Sequence, residues 1–174
     1  QDAVDLDGLL EDYAFVIQGC LDVFEASFDP RWLRLASRLQ QTQDTLFWDQ
    51  KDGGYFSTRA DAAHLLARMK EDYDGPEPAA NSVSALNLVR LWQLTSVDQW
   101  RARADATFTA LSGRIARSGS AVPQLMSALD FRRATTKEIV IAGRPGASDT
   151  AALLRLVHDR FLPNKVLALA DGGR

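Results

Sequence analysis

Apolar side chains recur every three or four positions through the first fifty residues. From Leu9 onward, Leu10, Tyr13, Ala14, Ile17, Cys20, Leu21 and Phe24 form one stripe, while Phe15, Val16 and Val23 stand off it. The stripe predicts a helix, and the additional apolar groups predict that it is covered on more than one side. Asp29-Pro30 reads as an N-cap followed by proline at the first helical position, opening a second helix that runs to about Phe47. Trp32, Leu35, Ala36, Leu39 and Leu46 make one face of it; Arg31, Arg34, Arg38, Gln41 and Asp44 make the other. That division predicts a surface helix.

The helical period breaks between Trp48 and Thr58. Asp52-Gly53-Gly54 favours a tight turn with positive φ, so a short hairpin or an irregular loop is expected. Residues 61–69 are expected to add a helical turn or a mobile lobe. Glu71 to Ser82 is a turn dense in carboxylates that leads without a break into the apolar run Val83 to Leu94. Pro78 suits the first turn of a helix, because its missing N–H would have no partner there, so a helix is expected to begin near Pro78. Ser96 with Gln99 three residues later is a capping-box pattern, and Trp100, Ala104, Phe108, Leu111 and Ile115 follow at helical spacing. Residues 121–132 carry one more apolar helix.

This order is a weak repeat in which Trp32 corresponds to Trp100 and Phe24 to Trp92. Short connections make the members of each helix pair antiparallel, and stacked pairs bury what each exposes. After Arg133 the pattern changes: Glu138 to Ala142 is a short β-branched run, a helix follows from about Gly146, and Lys165 to Ala170 is a second apolar run. This reads as a βαβ unit with parallel strands. The expected fold is therefore mainly α, an array of αα-hairpins with about five helices over residues 1–134, and a small βαβ lobe over residues 135–174.

Composition narrows the function classes. A net charge of −3 over 174 residues argues against a phosphate-backbone ligand, so nucleic acid is not an expected partner. Cys20 is the only cysteine, and His64 and His158 are far apart, so neither a disulfide, a metal site nor a cofactor is expected. No run reaches the roughly 18 apolar residues of a membrane span, and no signal peptide opens the chain, which points to a soluble, reducing, cytoplasmic setting. The first residue is Gln1 rather than Met, as expected of a piece of a longer polypeptide.

Antiparallel hairpins send successive inner helices in the same direction, so their N-termini share one rim. Glu11, Asp12 and Tyr13 fall there on the first inner helix, and Glu77, Asn81 and Ser82 on the next; the loop bearing Trp48 and Tyr55 returns to the same end. Carboxylates beside aromatic rings are a common means of holding sugars, and paired carboxylates suit glycoside hydrolysis. Asp12 and Glu77 are the candidate catalytic groups. Glu11, Tyr13, Trp48, Tyr55, Asn81 and Ser82 are the candidate ligand-binding groups. A second reading stays open, in which the acids favour helix N-termini and the aromatics pack. The Gly143 to Asp149 turn has neither Rossmann nor P-loop spacing; an anion cradle and a purely structural turn both remain open.

Three motifs in order, Leu10-Glu11-Asp12-Tyr13-Ala14-Phe15, the Phe47-Trp48-Asp49 to Gly53-Gly54-Tyr55-Phe56 loop, and Asp74-Gly75-Pro76-Glu77-Pro78-Ala79-Ala80-Asn81-Ser82 with the helix behind it, resemble the C-terminal region of thioredoxin-domain-containing proteins of the spermatogenesis-associated / YyaL family. The resemblance implies part of an (α/α)6 toroid similar to N-acylglucosamine 2-epimerases and six-hairpin glycosidases, with the rim facing a central cavity and a carbohydrate-like ligand in it. Neither His64 nor His158 matches the acid/base histidines of the epimerases, and this chain holds no thioredoxin-like domain. The expectation is a fragment that is not catalytic alone, whose partners are the remainder of a parent chain and, because an arc leaves helix faces uncovered, further copies of itself. The alternative is a helical-repeat interaction or structural module of a thioredoxin-like redox protein.

Overall fold

The computed structural model describes residues 8–61 and 67–172. His64 and most of the 61–69 stretch lie outside the described residues. In chain order the elements are α1 (Leu10–Ser27), α2 (Pro30–Phe47), α3 (Ala80–Thr95), α4 (Asp98–Ala110), α5 (Ser112–Ser118), a 3-10 turn (Gly119–Ala121), α6 (Pro123–Arg133), β1 (Lys137–Ala142), α7 (Ser148–His158) and β2 (Lys165–Ala170).

The expected start of α2 is observed: the Asp29 carboxylate accepts the Arg31 N–H at 2.9 Å, and Pro30 occupies the first helical position. α1 ends at Phe28 in the left-handed region, φ 56°, with its N–H bonded to Phe24 O at 2.7 Å. α3 ends in the same way at Ser96, φ 55°, bonded to Trp92 O at 2.7 Å. Ser96 therefore closes α3 and does not cap α4, which begins at Asp98. Pro78 also lies ahead of its helix. The N-cap is Ala79, whose N–H is taken by Asp74 Oδ1 at 2.8 Å, so α3 winds only from Ala80.

The sequence repeat is a structural one. The interval that separates Phe24 from Trp92 also separates Phe28 from Ser96, Trp32 from Trp100, and the fully buried Ala36 from the equally buried Ala104. In both units the tryptophan N–H closes a turn onto the carbonyl three residues back, Asp29 in one and Val97 in the other, each at 3.1 Å.

α1 and α3 run in the same direction. Asn87 Nδ2 donates to Ala14 O at 2.8 Å, and one turn later Arg90 reaches Asp22 at 2.7 Å and Glu25 at 2.9 Å, so residues later on α3 meet residues later on α1. α6 packs on α3, while α2 packs on α1 and α4 on α3. Ile17, Leu21, Val83, Leu88, Leu91 and Leu125 are fully enclosed between these helices, each worth about 1.5–3 kcal/mol on burial.

α2 departs from its expected polarity in one respect. Asp44, placed on the outer face by its spacing, is buried together with Gln40 and Gln43. The loop after Phe47 folds back and brings the Tyr55 hydroxyl onto it, so the second half of α2 has a polar interior face.

β1 and β2 pair in parallel, Lys137 opposite Lys165 through Ala142 opposite Ala170, as the βαβ pattern predicts. β2 rests on α3 and α1, and Gln93 Nε2 donates to Thr136 Oγ1 at 2.8 Å where the helices lead into the lobe. A Cβ at Gly143 would run into Thr150 of α7, so the turn out of β1 requires glycine. Among the described residues no helix is long and apolar enough to cross a membrane.

Candidate functional site

The rim is built around a small hairpin. Trp48 and Tyr55 form an antiparallel bridge, and Gly53 and Gly54 turn the chain with φ 74° and 71°, values open to glycine at little steric cost. Asp49 braces the turn: Oδ1 accepts the Lys51 N–H at 2.8 Å and Oδ2 meets Lys70 Nζ at 2.6 Å. The Lys70 ammonium, assisted by the Lys51 and Asp52 N–H groups, holds the Asp49 carboxyl at about 2. At the tip, a Cβ on Gly53 would stand 2.8 Å from the Ala106 carbonyl oxygen, so the hairpin touches the α4 main chain.

Tyr55 is fully buried and held from both ends. Its N–H donates to Asn81 Oδ1 at 2.8 Å and its carbonyl accepts from Asn81 Nδ2 at 2.9 Å. Its hydroxyl donates to Asp44 Oδ1 at 2.6 Å, and Gln40 Nε2 donates to the same carboxylate oxygen at 3.0 Å. Arg103 Nε lies 3.5 Å from Asp44 Oδ2, and its guanidinium covers the Trp48 ring at 4.1 Å. Burial pushes the Asp44 carboxyl up, and burial beside Asp44 pushes the Tyr55 hydroxyl far up.

Asp74 serves two helices. One oxygen accepts the Ala79 N–H at the start of α3, and the other accepts the Gln124 N–H at 2.8 Å in the first turn of α6. The ends of α3 and α6 are thereby tied to one carboxylate. α1 joins them through Leu10 N–H, which donates to Ser57 O at 3.2 Å. Three parallel helix N-termini thus meet at one rim.

Between the starts of α1 and α3 lies a cleft of about 150 Å3 lined by Leu9, Leu10, Glu11, Ser57, Thr58, Glu71 and Ala80. Ser57 Oγ and Thr58 Oγ1 are buried with no hydrogen-bond partner among the described residues. Of the sequence candidates, Glu11 lines this cleft. Asp12, exposed at the third position of α1, accepts the Leu9 N–H at 2.8 Å. Tyr13 is half-buried against Phe47, ring centroids 5.5 Å apart, and shares with Asp12, Val16 and Leu39 a second, open and apolar hollow. Glu77 is exposed just ahead of α3. Trp48 is half-buried beneath Arg103, Tyr55 and Asn81 are bonded to each other, and Ser82 is buried with its hydroxyl unpaired.

Asp44, Ser57, Thr58, Glu71 and Asp74 were not singled out by spacing. One signal for Asp74 was present in the sequence: Pro123 opens α6 behind Val122, which has no capping side chain, so the cap had to come from elsewhere. Among the described residues no group of three or more His, Cys, Asp or Glu side chains is arranged to hold a metal ion. Chemically, the cleft offers two carboxylates, with the unpaired Ser57 and Thr58 hydroxyls buried behind its surface, around a space smaller than the roughly 300 Å3 at which small-molecule pockets begin.

No family model matches the chain. Proteins named spermatogenesis-associated protein 20 from mouse and human are each 51% identical to it over 166 residues, 95% of this chain. An uncharacterized protein of Caenorhabditis elegans is 30% identical over 154 residues, 88% of the chain. The chain spans 21% of the length of each of these relatives, and it is therefore similar to a segment of the larger spermatogenesis-associated proteins.

Proposed function

We propose that this chain is one sector of a larger ring of αα-hairpins, part of an (α/α)6 toroid, and that its rim supplies one wall of a pocket for a carbohydrate-like ligand. The observation that carries this reading is the convergence of the α1 and α3 N-termini on one cleft with Glu11, Glu71, Ser57 and Thr58 along it. Carboxylates along a cleft suit the hydroxyls of a polyol, and Asp12 and Glu77, both exposed, are the groups proposed for acid/base work. The cleft is too small to enclose a sugar ring, which agrees with a wall to be completed by further hairpins and with a segment not catalytic alone.

The exposed side of α1 supports the ring. In α3 the positions that face the preceding hairpin are closed: Ser84 takes a hydrogen bond from Gln43 of α2, Asn87 reaches α1, and Leu91 is buried. Their counterparts one repeat earlier are Val16, Gly19 and Val23, and here Val16 is 53% and Val23 40% exposed. α1 thus carries the docking face of a hairpin whose predecessor is not in this chain. The lone thiol, Cys20, is buried in α1 and suits a reducing, cytoplasmic setting.

A second reading, a structural or interaction module of a thioredoxin-like redox protein, is favoured by the internal use of Asn81 and Asp74, whose polar groups serve the fold. A thermal-shift screen of neutral and acidic sugars against the longer protein that carries this segment separates the two. A stabilising sugar whose effect is lost in Glu11→Gln/Glu71→Gln supports the pocket. No stabilisation across the panel supports the module.

A further inference from the structure

A second cleft, about 640 Å3, runs along the outside of α2, away from the rim. Arg31, Arg34, Arg38 and Gln41 form one ridge of it, Leu33 and Ser37 the next, and Thr95 at the end of α3 closes one side. Spacings of three, four and three residues set the four ridge positions in a straight stripe. One carboxylate answers the three guanidiniums: Asp29, 2.6 Å from Arg31 and also under the influence of Arg34. Arg38 has no carboxylate partner among the described residues.

This local excess of positive charge runs against the chain as a whole, which carries −3. It also begins in the first turn of α2, where the helix dipole disfavours cations. Arg31 serves the α2 cap through Asp29; Arg38, with no carboxylate partner among the described residues, is not accounted for in that way. Ridges at i+3 and i+4 spacing receive the matching ridges of another helix, Leu33 provides an apolar floor, and the charge calls for carboxylates on the occupant.

We propose that this groove docks an acidic amphipathic helix of a partner polypeptide, its Glu or Asp side chains meeting Arg31, Arg34 and Arg38 and its apolar side resting on Leu33. A nucleic-acid strand fits less well, since it needs a longer basic track and gains nothing from the leucine floor.

The test uses fluorescence anisotropy of the intact chain with a labelled synthetic helix bearing Glu at the matching three-four-three spacing and Leu on the adjoining face. Binding that weakens as salt is raised is expected. Arg34→Glu/Arg38→Glu is expected to weaken it about tenfold or more, and a lysine version of the peptide to bind this variant better than the native chain. The variant's melting temperature is expected to stay level or rise. Unchanged binding by the variant, equal binding of a proline-broken peptide, or tighter binding of a single-stranded oligonucleotide would each overturn the proposal. So would a clear fall in melting temperature, which would assign the arginines to the carbonyl end of α3.

Discussion

The Asn81 carboxamide closes both hydrogen-bonding groups of the Tyr55 main chain, accepting its N–H at 2.8 Å and donating to its carbonyl at 2.9 Å. A side chain here does what a neighbouring strand does elsewhere, and it ties the hairpin to the first turn of α3. Asn81→Ala leaves two buried main-chain groups unpaired, at about 1–3 kcal/mol each. A loss of roughly 2–5 kcal/mol in urea denaturation is expected, and a loss below about 1 kcal/mol would mean that water replaces the amide without strain.

Two carboxylates near the hairpin carry opposite pH signatures. Burial raises the Asp44 carboxyl, so the native state takes up its proton more readily than the unfolded chain. The stability contributed by Asp44 therefore falls as pH rises from the ordinary carboxylate value through the raised one. Asp49 is held at about 2, so its contribution is complete above about pH 4 and is lost as pH falls toward 2. Unfolding free energies measured from acid to neutral pH should show the native-minus-Asp44→Asn difference declining with pH and the native-minus-Asp49→Asn difference growing with it. Equal signs for the two variants would refute the assignment.

Ser96 occupies the left-handed region at the end of α3 with φ 55°, a conformation that disfavours every residue with a Cβ. Ser96→Gly keeps the N–H to Trp92 O bond and relieves that cost. A gain of about 0.5–1 kcal/mol is expected, read as a raised urea midpoint with an unchanged slope.

The apolar outer side of α1, with Phe15, Val16 and Val23 in solvent, is expected to drive the isolated chain into dimers or larger assemblies. Val16→Glu/Val23→Lys should shift light scattering toward the monomer mass without lowering helix content. A native chain that is already monomeric at working concentration would remove this expectation.

Much of the helical order was legible because its signals are local. Asp29-Pro30 announces α2 by its cap and its ring, the glycine pair announces the hairpin, and β-branched residues around an interposed helix announce the parallel strands. The errors at Pro78 and Ser96 share one cause: the groups that end or begin α3, Asp74 and the Trp92 carbonyl, act across a turn that spacing does not reveal. The rim was legible only as a direction. That α1 and α3 start together follows from antiparallel pairing, but whether a polar residue there faces solvent or the fold depends on contacts distant in the chain. Asn81 is consumed by a residue 26 positions away, and Asp44, which looks solvated on a helical wheel, is covered by the Tyr55 hydroxyl. Ser57 and Thr58 carry no pattern at all and reach the cleft because the irregular segment after the hairpin accepts the Leu10 N–H at the start of α1.

The contact between the Gly53 tip and the Ala106 main chain also decides where foreign material can be attached. An epitope tag or fluorophore loop spliced between Asp49 and Tyr55 would have to lift α4, whereas Gly146, at φ 79° with nothing within 4 Å of its would-be side chain, has open space around it. Labels for following this segment within its longer relatives belong in the turn after β1.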